Sequence, residues 1–283
     1  MSRAGPPTAI AGLGAIAAGY DALLVDQFGV LHDGTSPYAH AVETLERLRA
    51  ADKRVVLLSN SGKRSAPNEA RLERLGFPRG SWTCLLSSGE VAWSILAADA
   101  AATGTRQRCL LIARDGDRSA IEGLPFDVSE DAADCAVVLI TASEGERLAL
   151  EDYAALLAPA AARGVPAYCT NPDKHMLTPL GLRFGAGRIA MLYEQLGGHV
   201  TWIGKPFPEI YAAARRVLGD IDPRRILCVG DSVEHDIVGA RDAGLPNCLI
   251  SGGIHDGADA AALRALYAAA GAVPDFITHR FRW

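Results

Sequence analysis

Four short apolar runs lead into side chains able to do chemistry. ALLVD stops at Asp26, RVVLLSN at Ser59 and Asn60, RILCVGD at Asp231, and Lys205 follows HVTWI. If these runs are strands of one open parallel sheet, their C-terminal ends share the edge where such sheets bind ligands. A carboxylate there can act as a nucleophile or hold a hard cation through oxygen. An amine supplies fixed positive charge, and a hydroxyl donates a hydrogen bond. Taken singly, each residue has a plainer explanation. Asp and Ser after a strand commonly cap the next helix, Asp231 and Asp236 also fit an N-cap and a solvated first-turn acid, and a lone lysine usually sits on the surface. Opposite charges and a hydroxyl converging on one edge argue for a binding crevice.

The rest of the chain must position these groups. Apolar runs predict strands at 22–26, 54–59, 83–86, 108–113, 135–141, 165–170, 199–203, 225–230, 246–250 and 275–278. Three-to-four spacing of apolar residues predicts helices at about 40–51, 66–75, 89–102, 150–163, 187–196, 208–218, 236–243 and 259–270. This alternation implies an α/β fold, a parallel sheet covered on both faces by helices. Strand number and length suit two α/β units. Residues 84–196 carry few chemically suggestive groups apart from Thr170-Asn171-Pro172-Asp173-Lys174. A core domain of residues 1–83 and 197–283, interrupted by an inserted domain of residues 84–196, is therefore expected.

Composition removes other classes. The chain has 283 residues, 28 basic and 33 acidic side chains, a formal net charge of -5, and 49% hydrophobic residues. Without a block of like charge it has no electrostatic reason to bind nucleic acid or an anionic membrane. No apolar run reaches spanning length, so a soluble protein is expected. The first twenty residues are weakly hydrophobic and read as the first helix of the fold rather than as a leader. Six cysteines are scattered singly, which predicts reduced thiols in a cytoplasmic protein rather than disulfides or a zinc site. A homodimer is compatible with the sequence. Gly12-Leu13-Gly14-Ala15-Ile16-Ala17 matches a dinucleotide-binding string but lacks a full preceding strand. Gly62-Lys63-Arg64-Ser65 lacks the glycine spacing of a phosphate-binding loop. Neither supports a nucleotide fold.

The ordered motifs carry a family resemblance. Asp26-Gln27-Phe28-Gly29-Val30-Leu31, then Leu57-Leu58-Ser59-Asn60, then Ile203-Gly204-Lys205-Pro206, and finally Gly230-Asp231-Ser232-Val233-Glu234-His235-Asp236 follow the four motifs of the haloacid dehalogenase (HAD) superfamily. Thr170-Asn171-Pro172-Asp173 between the second and third motifs resembles the NagD-like class IIA phosphatases. The resemblance implies a Rossmann-like core with an inserted α/β cap of the C2 type, and a Mg²⁺-dependent hydrolase acting on a small phosphorylated metabolite, a sugar or nucleotide phosphate. Asp26 would be the nucleophile, forming an aspartyl-phosphate. Asp26, Asp231 and the Phe28 carbonyl would hold the metal, with Asp236 fixing its water shell or Lys205. Ser59, Asn60, Lys205 and the backbone N–H groups of the Gly29 loop would bind phosphate, and Asn171, Asp173 and Lys174 would touch substrate from the cap.

One position departs from the pattern. The second aspartate of the family's first motif, which in most of its phosphatases protonates the leaving alcohol, is here Phe28. General acid catalysis supplies about 10² to 10⁴ in rate, so its loss has three readings. The leaving group needs no proton; a group such as His32, Asp33, His175 or His235 replaces the acid; or the protein binds phosphometabolites with weak or lost phosphatase activity.

Overall fold

The computed structural model describes residues 5–178 and 180–283. In chain order the first elements are β1 (Thr8–Ala9), β2 (Ala22–Asp26), α1 (Ala41–Ala50), β3 (Arg54–Ser59), α2 (Ser65–Arg74), β4 (Cys84–Ser87) and α3 (Ser88–Thr103). Next come β5 (Gln107–Ile112), β6 (Phe126–Ser129), β7 (Val137–Ile140), α4 (Leu150–Ala162), β8 (Pro166–Cys169), β9 (His175–Thr178), β10 (Gly181–Phe184), α5 (Ala186–Gln195) and β11 (His199–Trp202). The chain closes with α6 (Pro208–Leu218), β12 (Ile226–Gly230), α7 (Val238–Asp242), β13 (Asn247–Ile250), α8 (Ala260–Ala270) and β14 (Phe276–Thr278). Two compact units result. The first takes in the chain up to Ser59, Ala66–Leu86 and Lys205–Trp283; the second is Asn60–Ser65 with Ser87–Gly204.

The first unit is built on a sheet of order β1-β14-β13-β12-β2-β3-β4. Its ladders from β1 through to β3 are parallel. Continuous apolar runs such as Ala22–Val25 suit strands with no solvent face, and these residues are buried. Leu23, Val25, Val55, Leu57, Leu227 and Val229 pack with Leu45 and Leu48 of α1 and with Phe77. Val233, Ile237, Leu249, Leu263 and Tyr267 form a separate cluster that includes α8. Buried Ala41, Thr44, Leu45 and Leu48 follow the helical period and give α1 its inward stripe.

The second unit has an all-parallel sheet of order β11-β8-β7-β5-β6 and a separate antiparallel hairpin, β9–β10. Leu157 of α4 and Ile189 and Tyr193 of α5 pack with Val138 and Ile140 of β7. The Tyr193 hydroxyl, deep in that core, donates to the Val165 carbonyl at 2.7 Å, which satisfies its polar end.

Several expectations are corrected. Among the described residues, the expected first helix is β1 followed by two single 3₁₀ turns, Leu13–Ala15 and Ala17–Gly19; residues 1–4 of that segment lie outside the described residues. Pairing of Thr8 with Phe276 and the hydrogen bond from the Leu13 N–H to the Arg282 carbonyl outweigh any helical tendency there. The unit boundaries fall elsewhere than at 84 and 196, because Cys84–Ser87 joins the first sheet and His199–Trp202 pairs with β8 in the second. The six cysteines are free thiols, and among the described residues no helix is long and apolar enough to cross a membrane.

Candidate active site

Strands β12, β2 and β3 are neighbours, with Val229 opposite Val25 and Asp26 opposite Leu58. Asp26, Ser59 and Asp231 therefore leave the same sheet edge side by side. Lys205 joins them from the start of the last segment of this unit. Its Nζ, buried with the rest of the side chain, donates to Asp26 Oδ1 and to Asp236 Oδ1, both at 2.6 Å. Asp26, Asp231 and Asp236 each bring an oxygen within 4.8 Å of the others. Asp236 is fixed by its own turn: the Asp236 and Ile237 N–H groups both donate to the Ser232 carbonyl, and the Ser232 N–H returns a bond to Asp236 Oδ2 at 3.0 Å. This widened turn, Val233–Ile237, replaces the first turn of the helix expected from 236.

Backbone approaches the carboxylates closely, and glycine permits it. Gly29, the turn residue after Phe28, has φ +83 and lies where an added Cβ would overlap Asp231 Oδ2. Gly29→Ala should therefore displace Asp231, weaken divalent-cation binding by about tenfold or more and reduce turnover in step. Calorimetric titration with Mg²⁺ checks this, and wild-type affinity in the variant would contradict the packing described.

Three carboxylates facing one ammonium leave the cluster two negative charges in excess when all are ionised. Burial first, and repulsion from Asp236 against the pull of Lys205, hold the Asp26 carboxyl up at about 7. Burial first, then Asp26 and Asp236, raise Asp231 to about 8. An all-oxygen donor set with surplus negative charge fits a hard divalent cation such as Mg²⁺. Because these folded-state values lie above the unfolded ones, the two groups favour the fold at low pH and lose that contribution as pH rises through about 7 to 8. Without metal, thermal stability should fall between about pH 5 and 8 on their account. Mg²⁺ affinity should rise over the interval where the protons leave, since the cation competes with them. Titrations at both ends of that range test the sign; equal affinity at both would refute it.

The remaining expected residues divide between the units. Ser59 is buried at the end of β3, beside the register partner of Asp26. Asn60 belongs to the second unit, where its Nδ2 donates to Asp173 Oδ1 at 2.8 Å. Asn171 Oδ1 accepts the Asp173 N–H at 3.2 Å, so the Asn-Pro-Asp turn presents an organised carboxylate. Lys174 follows directly, before β9. Phe28 exposes its ring. Two suggested replacement acids are poorly suited: His32 is fully buried, its Nδ1 accepts the Gly34 N–H, and burial lowers its pKa to about 4. Asp33 accepts from Thr35 and Ser36, which hold it ionised at about 2. His175 stands in the second unit, on β9. Sequence reasoning missed Ile254, whose N–H donates to Asp231 Oδ2 at 2.7 Å. The signal available was the Gly252-Gly253 pair just after a predicted strand, which lets backbone reach the carboxylate.

With this geometry in place, the chain's kinship is plain: it belongs to the haloacid dehalogenase-like hydrolases, in the NagD-like class IIA phosphatase branch. The profile of the haloacid dehalogenase-like hydrolases matches residues 23–127, and a second, HAD-hydrolase-like profile matches residues 202–281. The chain is 31% identical over 272 residues to the D-glycerol 3-phosphate phosphatase of Mycobacterium tuberculosis, covering 94% of this chain and 71% of that protein. A haloacid dehalogenase-like hydrolase from Brucella suis 1330 superposes with a TM-score of 0.81 at 31% identity, covering 96% of this chain and 99% of the other. The Mycobacterium tuberculosis glycerol phosphate phosphatase in complex with magnesium has a TM-score of 0.73 at 28% identity, over 94% of this chain and 77% of that one. The fold is accordingly a Rossmann-like HAD core with an inserted α/β cap domain.

Proposed function

We propose that the protein is a Mg²⁺-dependent phosphatase of small phosphorylated metabolites, sugar or nucleotide phosphates among them, working through an aspartyl-phosphate on Asp26. The observation that carries this reading is the buried Lys205 ammonium held between the Asp26 and Asp236 carboxylates, with Asp231 completing a cluster whose oxygens lie within 4.8 Å. Asp26, Asp231 and the Phe28 carbonyl would hold the cation, which when bound offsets the repulsion between a carboxylate and an incoming phosphate. Asp236 orients Lys205 and would fix the waters of the cation.

The chain's own groups then act in sequence. Lys205 fixes the Asp26 carboxylate and leaves its other oxygen to attack phosphorus. The bond from phosphorus to the leaving oxygen breaks, the electron pair goes with that oxygen, which takes a proton from solvent, and water later bonds to the same phosphorus, gives a proton to solvent and returns Asp26 to a carboxylate. Ser59 donates to the phosphoryl oxygens as charge moves onto them, whereas the expected Gly29 N–H is already given to the His32 carbonyl and the Leu31 N–H to the Gln27 carbonyl, so these do not join the cradle. Selection among substrates is assigned to Asn171, Asp173 and Lys174 of the inserted domain, where Asn60 already orders Asp173. A panel of phosphate esters, offered with Mg²⁺ and after chelation, tests the proposal through release of inorganic phosphate. Metal-dependent release supports it. Saturable binding of the esters with no release would favour a phosphometabolite-binding protein instead.

A further inference from the structure

Two of the exposed large apolar side chains flank the carboxylate cluster. Phe28, 52% exposed, lies just beyond Asp26, and Ile254, 71% exposed, is the residue whose N–H is bonded to Asp231. Phe28 is seated there by its surroundings. Its ring meets the buried His32 imidazole edge to face at 5.9 Å between centroids. It also passes 3.1 Å from where a Cβ would stand on Gly34, a residue with φ +100. The loop is pinned by the Gly29 N–H to the His32 carbonyl and by the Gly34 N–H to His32 Nδ1, both at 2.9 Å. An ordered backbone thus holds an exposed apolar ring two residues from Asp26, and exposed apolar surface next to charged groups marks a place for a ligand.

The same loop offers little to a leaving group that needs a proton. Asp33 is spent on its own turn, His32 is enclosed, and Asp231 accepts from the Ile254 backbone. Resting on the phosphatase reading above, we propose that the site favours aryl and acyl phosphates, whose departing group is planar and leaves as a delocalised oxyanion, with Phe28 and Ile254 forming the surface against which that group lies. An Asp26 oxygen bonds to phosphorus as the bond from phosphorus to the departing oxygen breaks. The electron pair goes with that oxygen as phenolate or carboxylate, which departs unprotonated. Water then bonds to phosphorus, the bond to Asp26 breaks, and the water's protons pass to phosphate and solvent.

The test compares p-nitrophenyl phosphate, phenyl phosphate and glycerol 3-phosphate on the full chain with Mg²⁺, alongside calorimetric binding of phenylphosphonate and methylphosphonate. Wild type should prefer p-nitrophenyl phosphate over glycerol 3-phosphate in kcat/KM by about 10² to 10⁴, the usual worth of a general acid. Phe28→Asp should narrow that ratio by tenfold or more, roughly speaking, by raising the alkyl ester's rate. Phenylphosphonate should bind more tightly than methylphosphonate, and Ile254→Ser or Phe28→Ala should each cut that preference by about fivefold to tenfold. Turnover indifferent to the leaving group, a ratio unmoved in Phe28→Asp, or equal binding of the two phosphonates overturns this inference while the phosphatase reading stands. Absence of turnover with every ester overturns both.

Discussion

Asp26→Asn should abolish turnover, lowering kcat by about 10⁴-fold or more, the scale of losing a covalent nucleophile. The substitution is nearly isosteric, and an amide oxygen can still accept from Lys205, whose bond to Asp26 Oδ1 is 2.6 Å in the native site. What disappears is the second, charged oxygen that attacks phosphorus. Folding should survive, because replacing one of three mutually repelling carboxylates relieves the cluster; a melting temperature at or above that of the metal-free wild type is the expected companion result. Steady-state phosphate release from the variant, measured beside wild type under saturating Mg²⁺, settles the matter. Retention of even a tenth of the wild-type rate, on a scale where a nucleophile is worth about 10⁴, would remove Asp26 from the role assigned to it.

Lys205→Met should be the most destabilising of the substitutions considered. Lys205 is 4% exposed and donates to Asp236, which is buried, and to Asp26, whose side chain is 12% exposed. Removing it leaves Asp26 and Asp236 enclosed with like charge and no counterion, and breaking a buried pair in this way costs about 3 to 5 kcal/mol. For a chain of this size that is a fall of about 10 °C in Tm. The loss should be greatest near pH 8 and shrink toward pH 5, because protonating Asp26, whose carboxyl is held up at about 7, removes its repulsion with Asp236. Thermal denaturation of the metal-free protein across that range distinguishes this from lost packing, which would be independent of pH. A variant within about 1 kcal/mol of wild type at pH 8 would contradict the burial and pairing of the lysine.

Much of the scaffold is legible in residue type. Buried Leu45 and Leu48 on α1 and Ile210, Ala214 and Leu218 on α6 recur at helical spacing, and the eight helices expected from such stripes all have a counterpart. Central strands such as Ala22–Asp26 and Ile226–Gly230 are unbroken apolar runs because both faces are covered. What escapes is structure set by distant partners. Phe126–Ser129 carries an exposed Asp127 and becomes a strand through its pairing with Gln107–Leu110. The β9–β10 hairpin exposes Leu182 and pairs its strands antiparallel from Gly181 opposite Thr178 to Phe184 opposite His175. HVTWI reads as a strand without saying which sheet it joins, since an apolar run carries no label for its neighbour.

The site divides the same way. Asp26, Asp231, Asp236 and Lys205 stand out because motif order and strand-end position mark them, and all four meet in the first unit. Ile254 does not stand out, because it serves Asp231 through a backbone N–H that any residue but proline carries. Nor does the sequence show that Asn60 turns to Asp173, a partner distant in the chain. Phe28 was visible only as a missing acid; its exposure and its packing against His32 required coordinates.

The central claim is that phosphorus becomes bonded to the carboxylate at the end of β2. The direct measurement is acid quenching of the Mg²⁺-loaded enzyme during turnover of p-nitrophenyl phosphate, followed by mass spectrometry of the intact chain and of its peptides. The account predicts one added phosphoryl group, labile to hydroxylamine, on the peptide containing Asp26 and absent from Asp26→Asn. A phosphoryl group mapped to any other residue, or turnover that persists at the wild-type rate in Asp26→Asn, would contradict it.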